Sequence, residues 1–541
     1  MTTIAELLAA AEPTAPRRLG ELVERLATDG HLRGARDRGQ AIGPAALGDV
    51  AVTGVAYDSR QVRPGSLFVA VPGAHVDGHD YLAAAAGSGA VAALVERPVS
   101  GVELPQLVVI RTQQALATAA TWWYGDPSHR VGVVGITGTD GKTTTSFLAV
   151  SALEAAGIST GLLGTVETRI GGIRERNPEH VTTPEAPELQ AALRAMADSG
   201  NVAAVVETTS HGLALERVGG IAYDAAILTN LTHEHLDFHG TWEAYRGSKL
   251  SLFERLAARP GNPPKEGLAW PKAAIVNADD PSAGLFVGAA QEARARIFTY
   301  GTEPSADVRA TRVEEDARSL RIVYTAPSGD ARLRLRLAGR FNVHNALAVV
   351  ALGEALGLDP AAVRDGLESV HGVPGRMERI DAGQPFGVVV DYAHSPASLE
   401  KVLEILAPVA AARGGGLIAV FGSAGERDTA KRVVMGRIAG ERCRLVVVTD
   451  EDPRGEESDA ITDEIARGAE AAGKRLGSDL LVVADRRAAI AAAFERGRRG
   501  DVILLAGKGH ERSIIYADGP KPWDERAVAL EELAALGYAS R

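Results

Sequence analysis

Val131-Gly132-Val133-Val134-Gly135-Ile136 is apolar at every position, which predicts a strand buried on both faces. A Gly-rich turn follows at once, and residues 143–156 then read as a helix. Short apolar runs at 202–206, 225–228 and 273–276 predict further strands of the same unit. Residues 319–324 and 332–337 predict a hairpin, the second arm alternating Arg and Leu with period two, and 346–356 reads as helical. A later block has strands at 388–391, 417–421, 445–449, 480–483 and 502–505, separated by helical segments. That alternation predicts a mostly parallel, doubly wound sheet. Ahead of both blocks, runs at 66–70, 91–95 and 107–110 predict strands, and 81–86 a helix start, in a small α/β unit ending near Pro127. Residues 1–47 are Ala-, Arg- and Gly-rich and read as an irregular or loosely helical extension.

The predicted class is α/β with three domains: a small N-terminal α/β unit, a central doubly wound sheet with a phosphate loop, and a C-terminal Rossmann-like domain. The boundaries are 1–47 for the extension, then 48–129, 130–372 and 373–541. Ligands of such sheets sit at the carboxyl ends of strands, so the residues just after each strand are the candidates for chemistry.

Composition narrows the field. A chain of 541 residues is too long for one core. A net charge of −11 argues against a basic nucleic-acid surface, and no nucleic-acid partner is expected. Cys443 is the only cysteine, which excludes an internal disulfide or a cysteine zinc site and suits a reducing cytoplasm. The N-terminus lacks the basic start and apolar run of a signal peptide, and no stretch is long and apolar enough to cross a bilayer. The expectation is a cytoplasmic protein without membrane insertion.

The chemistry begins at Gly138-Thr139-Asp140-Gly141-Lys142-Thr143-Thr144, between the strand and the helix. Glycines permit tight turns whose N–H groups face phosphate oxygens. Lys142 can reach the outer phosphates, and Thr143 can hold Mg²⁺. The usual pattern wants glycine at Ile136; here the glycines are Gly135 and Gly138. Glu207 and His211, in Glu207-Thr208-Thr209-Ser210-His211, follow another strand and are metal-ligand types. The His-rich block Thr229-Asn230-Leu231-Thr232-His233-Glu234-His235-Leu236-Asp237-Phe238-His239 invites a zinc reading, but no second cluster with metal spacing accompanies it.

The variant glycine spacing, with Lys-Thr-Thr after it, resembles the Mur ligases and their relative folylpolyglutamate synthetase, which join an amine to a carboxylate using ATP. The Glu207–His211 and Thr229–Gly240 blocks, Asn277-Ala278-Asp279-Asp280, Phe341-Asn342-Val343-His344-Asn345 and Val373-Pro374-Gly375-Arg376 are similar to family blocks in the same order. The resemblance implies ATP bound by residues 138–144 with Asn345, Arg376 and Asp391. It implies two Mg²⁺, one on Thr143 and Glu207, the other on His211 and a carbamylated Lys249. Lys142, Lys249 and His211 are the implied catalytic residues. Asp58-Ser59-Arg60-Gln61 resembles the family's uridine-binding domain, which folylpolyglutamate synthetase lacks. Ser59, Thr182, Thr183, Thr209 and Arg217 would contact a UDP-linked muramoyl dipeptide. Arg427, Asp452, Arg454, Gly507 and Glu511 would receive an amino acid.

Glu451-Asp452-Pro453-Arg454 is similar to the Asp-Asn-Pro-Arg mark of the branch that adds diaminopimelate. Arg454 suits a distal carboxylate, which lysine lacks. Asp452 in place of Asn could favour an amine instead. The implied reaction is ATP-dependent addition of an amino acid, meso-2,6-diaminopimelate first, to UDP-N-acetylmuramoyl-L-alanyl-D-glutamate through an acyl phosphate, in peptidoglycan precursor synthesis. The enzyme is expected to be a monomer, with Pro374-Gly375 as a hinge. L-Lysine or ornithine as the amine, a related ligase of specialised metabolism, and a regulatory nucleotide-binding paralogue are the alternatives. The last predicts damage at Lys142, Glu207, His211 or Lys249, and all four are intact.

Overall fold

The computed structural model describes residues 2–73, 76–177, 181–257, 265, 270–316 and 319–538. Packing divides the chain into two compact units. The first holds Met1–Val313, Arg321–Leu333 and Phe341–Ser369; the second holds Glu314–Leu320, Arg334–Arg340 and Val370–Arg541.

In the first unit, strand Gly132–Thr137 lies between Ala203–Glu207 and Ala225–Leu228, parallel to both. Thr160–Leu163 continues the parallel run on one side, Ala273–Asn277 and Arg296–Gly301 on the other. All six residues of Gly132–Thr137 are buried, as their apolar run predicts. A Cβ on Gly135 would lie 2.6 Å from the Tyr223 ring and 2.9 Å from Leu252. Gly135 is therefore a packing glycine. The strands Thr160–Leu163, Glu167–Ile170, Ile173–Arg176, Arg296–Gly301 and Val308–Glu315 lie outside the sequence expectation.

A second sheet in this unit runs Gln40–Ile42, Leu32–Asp37, Gln106–Val109, Ala92–Val95, Ser66–Val69, Gly54–Ala56, with the last four parallel. Residues 2–47, expected as part of an irregular or loosely helical extension, are ordered. They form helices Ile4–Ala11 and Leu19–Thr28 and supply two strands of this sheet. The signal was an i, i+3, i+4, i+7 stripe, Leu19, Leu22, Val23 and Leu26, masked by surrounding Ala, Arg and Gly. These four residues are buried in one core with Leu67, Leu94 and Trp122. Glu12 accepts from Trp123 Nε1 at 3.0 Å and Tyr124 OH at 2.6 Å. Helix Phe341–Leu356 also starts earlier than its apolar run suggests, with Asn342 and Asn345 buried in its first turns.

The second unit has one six-stranded sheet: Glu378–Ile380, Gly387–Asp391, Val502–Ala506, Leu417–Phe421, Leu445–Val448, Leu480–Val482. Only the first pairing is antiparallel. One face packs on helices Pro396–Ala412, Ala430–Arg442 and Ser458–Ala471, the other on Arg486–Glu495 and Glu525–Ala535. This is the doubly wound arrangement that the alternating pattern predicts.

Candidate active site

The loop 138–141 leaves the middle of the central sheet at its carboxyl edge and opens helix Lys142–Ala155. Gly138 (φ 147°) and Gly141 (φ 85°) adopt backbone conformations that side chains disfavour. A Cβ on Gly138 would lie 1.8 Å from Thr229 Oγ1, and one on Gly141 2.4 Å from Asn345 Oδ1. Asn230 clamps the loop: its carbonyl accepts from Thr139 N at 2.8 Å, its Oδ1 accepts from Asp140 N at 3.0 Å, and its Nδ2 donates to Asp140 O at 3.0 Å. Thr139 Oγ1 lies 2.7 Å from Tyr245 OH. Lys142 Nζ folds over the loop and donates to Gly138 O at 2.7 Å and Thr139 O at 2.8 Å. A lysine amine over a glycine-rich loop at a helix start is an arrangement suited to phosphate binding. Thr144 is buried in the first turn of the same helix. We predict that Gly138→Ala weakens ADP binding by about tenfold or more, because Thr229 must give way to the new methyl. Titration calorimetry with unchanged far-UV circular dichroism checks this; unaltered affinity would contradict it.

Glu207 ends strand Ala203–Glu207 in register with Ile136 and is fully buried. Its Oε2 accepts from Thr143 Oγ1 at 3.0 Å and Thr165 Oγ1 at 2.7 Å, and its Oε1 accepts from Thr165 N at 3.2 Å. Among the described residues no Lys, Arg or His forms an ion pair with it. A buried carboxylate held by neutral donors beside a helix-start threonine fits a hard divalent cation. Thr165 escapes sequence reasoning because it follows an unpredicted strand and belongs to no quoted motif.

The acceptor candidates gather around the same strand end. Thr182 Oγ1 lies 3.0 Å from Thr165 Oγ1. Thr183 Oγ1 donates to Glu207 O at 2.9 Å and lies 3.0 Å from Thr209 Oγ1. Arg217 donates to Thr183 O at 3.1 Å and pairs with Glu185 at 2.7 Å. Thr209 caps helix Ser210–Ala214 by accepting from Gly212 N at 3.0 Å. Ser59 lies apart from this network, in the turn Ser59–Gln61, after Asp58 accepts from Arg60 N.

His211 packs its ring 4.2 Å from Phe238, 4.8 Å from His235 and 5.5 Å from His239. Burial, reinforced by His235 and His239, pushes the His211 imidazole down to about 4. Burial, with the positive charges of Lys249 and Lys142, does the same to His235, also to about 4. Both are neutral at pH 7, the form that offers a lone pair to a metal. Lys249 is buried, donates to Gly138 O at 2.7 Å and lies 4.7 Å over the Tyr245 ring. Burial first, and then Lys142, hold its amine well below the ordinary lysine range. An uncharged amine is the nucleophile that carbon dioxide requires, so the environment fits carbamylation. Among the described residues no cluster of three or more His, Cys, Asp or Glu is arranged for a metal, and His211, His235 and His239 pack with Phe238 as a ring cluster.

In the second unit, Asp391 ends a strand and accepts from Met377 N at 2.7 Å and Ala393 N at 2.9 Å. It thereby fixes the turn after Arg376, whose guanidinium lies 4.7 Å over the Tyr392 ring. Buried Asp452 Oδ1 accepts from Lys508 Nζ at 2.8 Å and Ile515 N at 2.9 Å. Lys508, itself fully buried, also pairs with Glu511, whose Oε1 accepts from Tyr392 OH at 3.1 Å. Gly507 (φ 100°) adopts a backbone conformation that side chains disfavour, and its would-be Cβ lies 3.0 Å from Glu451 Oε2. Arg454 N donates to Ile515 O at 2.9 Å. The structure thus brings Asp452, Arg454, Gly507 and Glu511 together, while Arg427 is exposed on a loop tied to Asp452 O by Gly425 N at 2.8 Å. The acid at 452 is engaged by Lys508 and a backbone N–H.

A phosphate loop in a central parallel sheet, with α/β domains on either side of it in sequence, is a nucleotide-binding architecture, and the family matches define the class: an ATP-dependent amide ligase. Residues 51–124 match the Mur ligase family, catalytic domain; 136–353 match the Mur ligase middle domain; 375–509 match the Mur ligase, glutamate ligase domain. The chain is 52% identical over 491 residues to a UDP-N-acetylmuramyl-tripeptide synthetase of Roseiflexus sp. (strain RS-1), covering 90% of this chain and 95% of that one. It is 41% identical over 519 residues to a UDP-N-acetylmuramoyl-L-alanyl-D-glutamate--2,6-diaminopimelate ligase of Geobacter metallireducens, covering 93% and 99%. A solved structure of a ligase of that same description superposes with a TM-score of 0.61 at 28% identity, covering 90% of this chain and 96% of that one. The chain belongs to the Mur ligase family.

Proposed function

We propose that this protein uses ATP to join meso-2,6-diaminopimelate to UDP-N-acetylmuramoyl-L-alanyl-D-glutamate, through an acyl phosphate on the D-Glu γ-carboxylate, in peptidoglycan precursor synthesis. The observation that carries the choice of amine is at Asp452 and Arg454. Asp452 spends its charge on Lys508, whereas Arg454 Nε is buried with no hydrogen-bond partner among the described residues. Beside loops that would receive an amino acid, an available guanidinium suits a distal carboxylate. The names of the 41%-identical relative and of the solved structure point the same way.

In this reading ATP lies on residues 138–144 with Asn345 beside Gly141; Arg376 and Asp391 are the nucleotide-binding candidates of the second unit. The muramoyl dipeptide meets Ser59, Thr182, Thr183, Thr209 and Arg217. Arg427, Asp452, Arg454, Gly507 and Glu511 form the amino-acid site. Glu207 with Thr143 would hold one Mg²⁺, and His211 with carbamylated Lys249 a second; the bound ions supply charge neutralisation during phosphoryl transfer. Lys142 stabilises charge on the outer phosphate, and Glu511 orients the amine. Positioning and charge supply most of the rate, because the chemistry asks little of acid–base groups. Among the described residues no helix is long and apolar enough to cross a membrane. A cytoplasmic monomer is the working assignment.

The test is phosphate release with the UDP-linked dipeptide, ATP and a panel of diaminopimelate, lysine and ornithine. Diaminopimelate is expected to have the highest kcat/KM; preference for lysine or ornithine would hand the site to that second reading. Arg454→Ala is expected to raise KM for diaminopimelate by about 30-fold or more, leaving any lysine turnover unchanged. Equal losses for both amines would remove Arg454 from the distal-carboxylate role.

A further inference from the structure

Arg486 is the first residue of helix Arg486–Glu495 and is wholly buried with Glu525, the first residue of helix Glu525–Ala535. The pair is bidentate: Nε donates to Glu525 Oε2 at 2.9 Å and Nη2 to Oε1 at 2.6 Å. Trp523 Nε1 donates to the same carboxylate at 2.6 Å and fixes it further. The guanidinium has two other partners. Nη1 donates to Asp450 O at 3.1 Å, and Nη2 to Ala506 O at 2.7 Å.

These two carbonyls occupy special places in the chain. Asp450 immediately precedes Glu451-Asp452-Pro453-Arg454, and Ala506 immediately precedes Gly507-Lys508-Gly509-His510-Glu511. The strands that deliver them, Leu445–Val448 and Val502–Ala506, are not neighbours; Leu417–Phe421 lies between them. No ladder hydrogen bond joins them directly, because that strand pairs with each of them. Arg486 does link their ends, across the intervening strand. Above it the two loops meet through Lys508 on Asp452, Ile515 N on Asp452, and Arg454 N on Ile515 O. Only a guanidinium has a planar fork able to serve a carboxylate and two carbonyls at once. A buried ion pair is weak evidence for stability in itself, so its two carbonyl contacts call for another reason.

We propose that Arg486 and Glu525 are a positioning pair that sets the spacing of loops 451–454 and 507–511, and through it the affinity for the incoming amino acid. The inference rests on the reading of those loops as the amino-acid site. Neither residue touches substrate in this account.

The test is the double variant Arg486→Met/Glu525→Leu, which removes the brace and leaves apolar volume in its place. Its thermal midpoint is expected to fall, because Asp450 O, Ala506 O and Trp523 Nε1 lose these partners, while a single cooperative transition shows that the fold is kept. KM for the amino acid is expected to rise by about tenfold or more, with KM for ATP and for the UDP-linked dipeptide unchanged. Amide hydrogen exchange of the full-length protein is expected to quicken in 450–455 and 506–515, with 417–421 still protected. A folded double variant with parental amino-acid KM and parental exchange in both loops overturns the proposal, and so does exchange that quickens evenly across the domain. Arg486→Lys serves as the second variant should the double one fail to fold. A point charge keeps the carboxylate but not both carbonyls, so quickened exchange in the two loops alone supports the brace, and parental exchange overturns it. Absence of turnover by the parent with every diamino acid would strike the proposed function, while the exchange comparison would still decide the brace.

Discussion

Lys142→Met is expected to lower kcat by about a thousandfold. The ammonium is held over the loop by Gly138 O and Thr139 O, so its position is set before nucleotide arrives. A preset cation needs no reorganisation when charge builds on the transferring phosphoryl group. Methionine keeps the length and the apolar stem but removes the charge. The loop itself is clamped by Asn230 and Thr229 and not by Lys142 alone, so the fold is expected to survive. Single-turnover kinetics check this, because they separate chemistry from product release. A variant whose KM for ATP rises while kcat is unchanged would show that Lys142 merely binds the nucleotide.

Lys249→Ala is expected to cost about a hundredfold to a thousandfold in kcat and to regain part of it with added acetate or formate. Three features of the site converge on this. Lys249 is buried beside the loop, its amine is held well below the usual lysine range by burial and by Lys142, and it shares the Gly138 carbonyl with Lys142. The charge of Lys142 disfavours a second cation on that carbonyl, and conversion of the Lys249 amine into an anionic carbamate turns this into attraction. A small carboxylate entering the space left by alanine supplies the missing negative charge. Lys249→Arg, which cannot be carbamylated and leaves no such space, is expected to be inactive without rescue. Full activity of Lys249→Ala would remove the residue from the site.

The parts legible in the sequence were those with strong local rules. The strand, loop and helix around Gly138 followed from an apolar run, two glycines and Lys-Thr, and the structure places Thr143, Glu207, Thr182, Thr183, Thr209 and Arg217 in one hydrogen-bonded neighbourhood. What was illegible depended on distant partners. Glycine at 135 has its reason in Tyr223 and Leu252, remote in sequence. Thr165 serves Glu207 from an unpredicted loop. The helix at Leu19–Thr28 was hidden because Ala and Arg diluted its apolar stripe. The charge of Asp452 could not be weighed until Lys508 was seen beside it, because its meaning lies in the neighbour. Arg486 carried no motif and is visible only through the two carbonyls it holds.

The central claim is that this chain makes an amide between a muramoyl dipeptide and a diamino acid at the cost of ATP. The direct measurement is mass spectrometry of the product formed from UDP-N-acetylmuramoyl-L-alanyl-D-glutamate, ATP and meso-diaminopimelate, with phosphate counted in parallel. The account predicts a UDP-linked tripeptide, heavier by one diaminopimelate residue, formed in step with one phosphate per amide. Phosphate release without that product, or no reaction with diaminopimelate, lysine or ornithine, would contradict it.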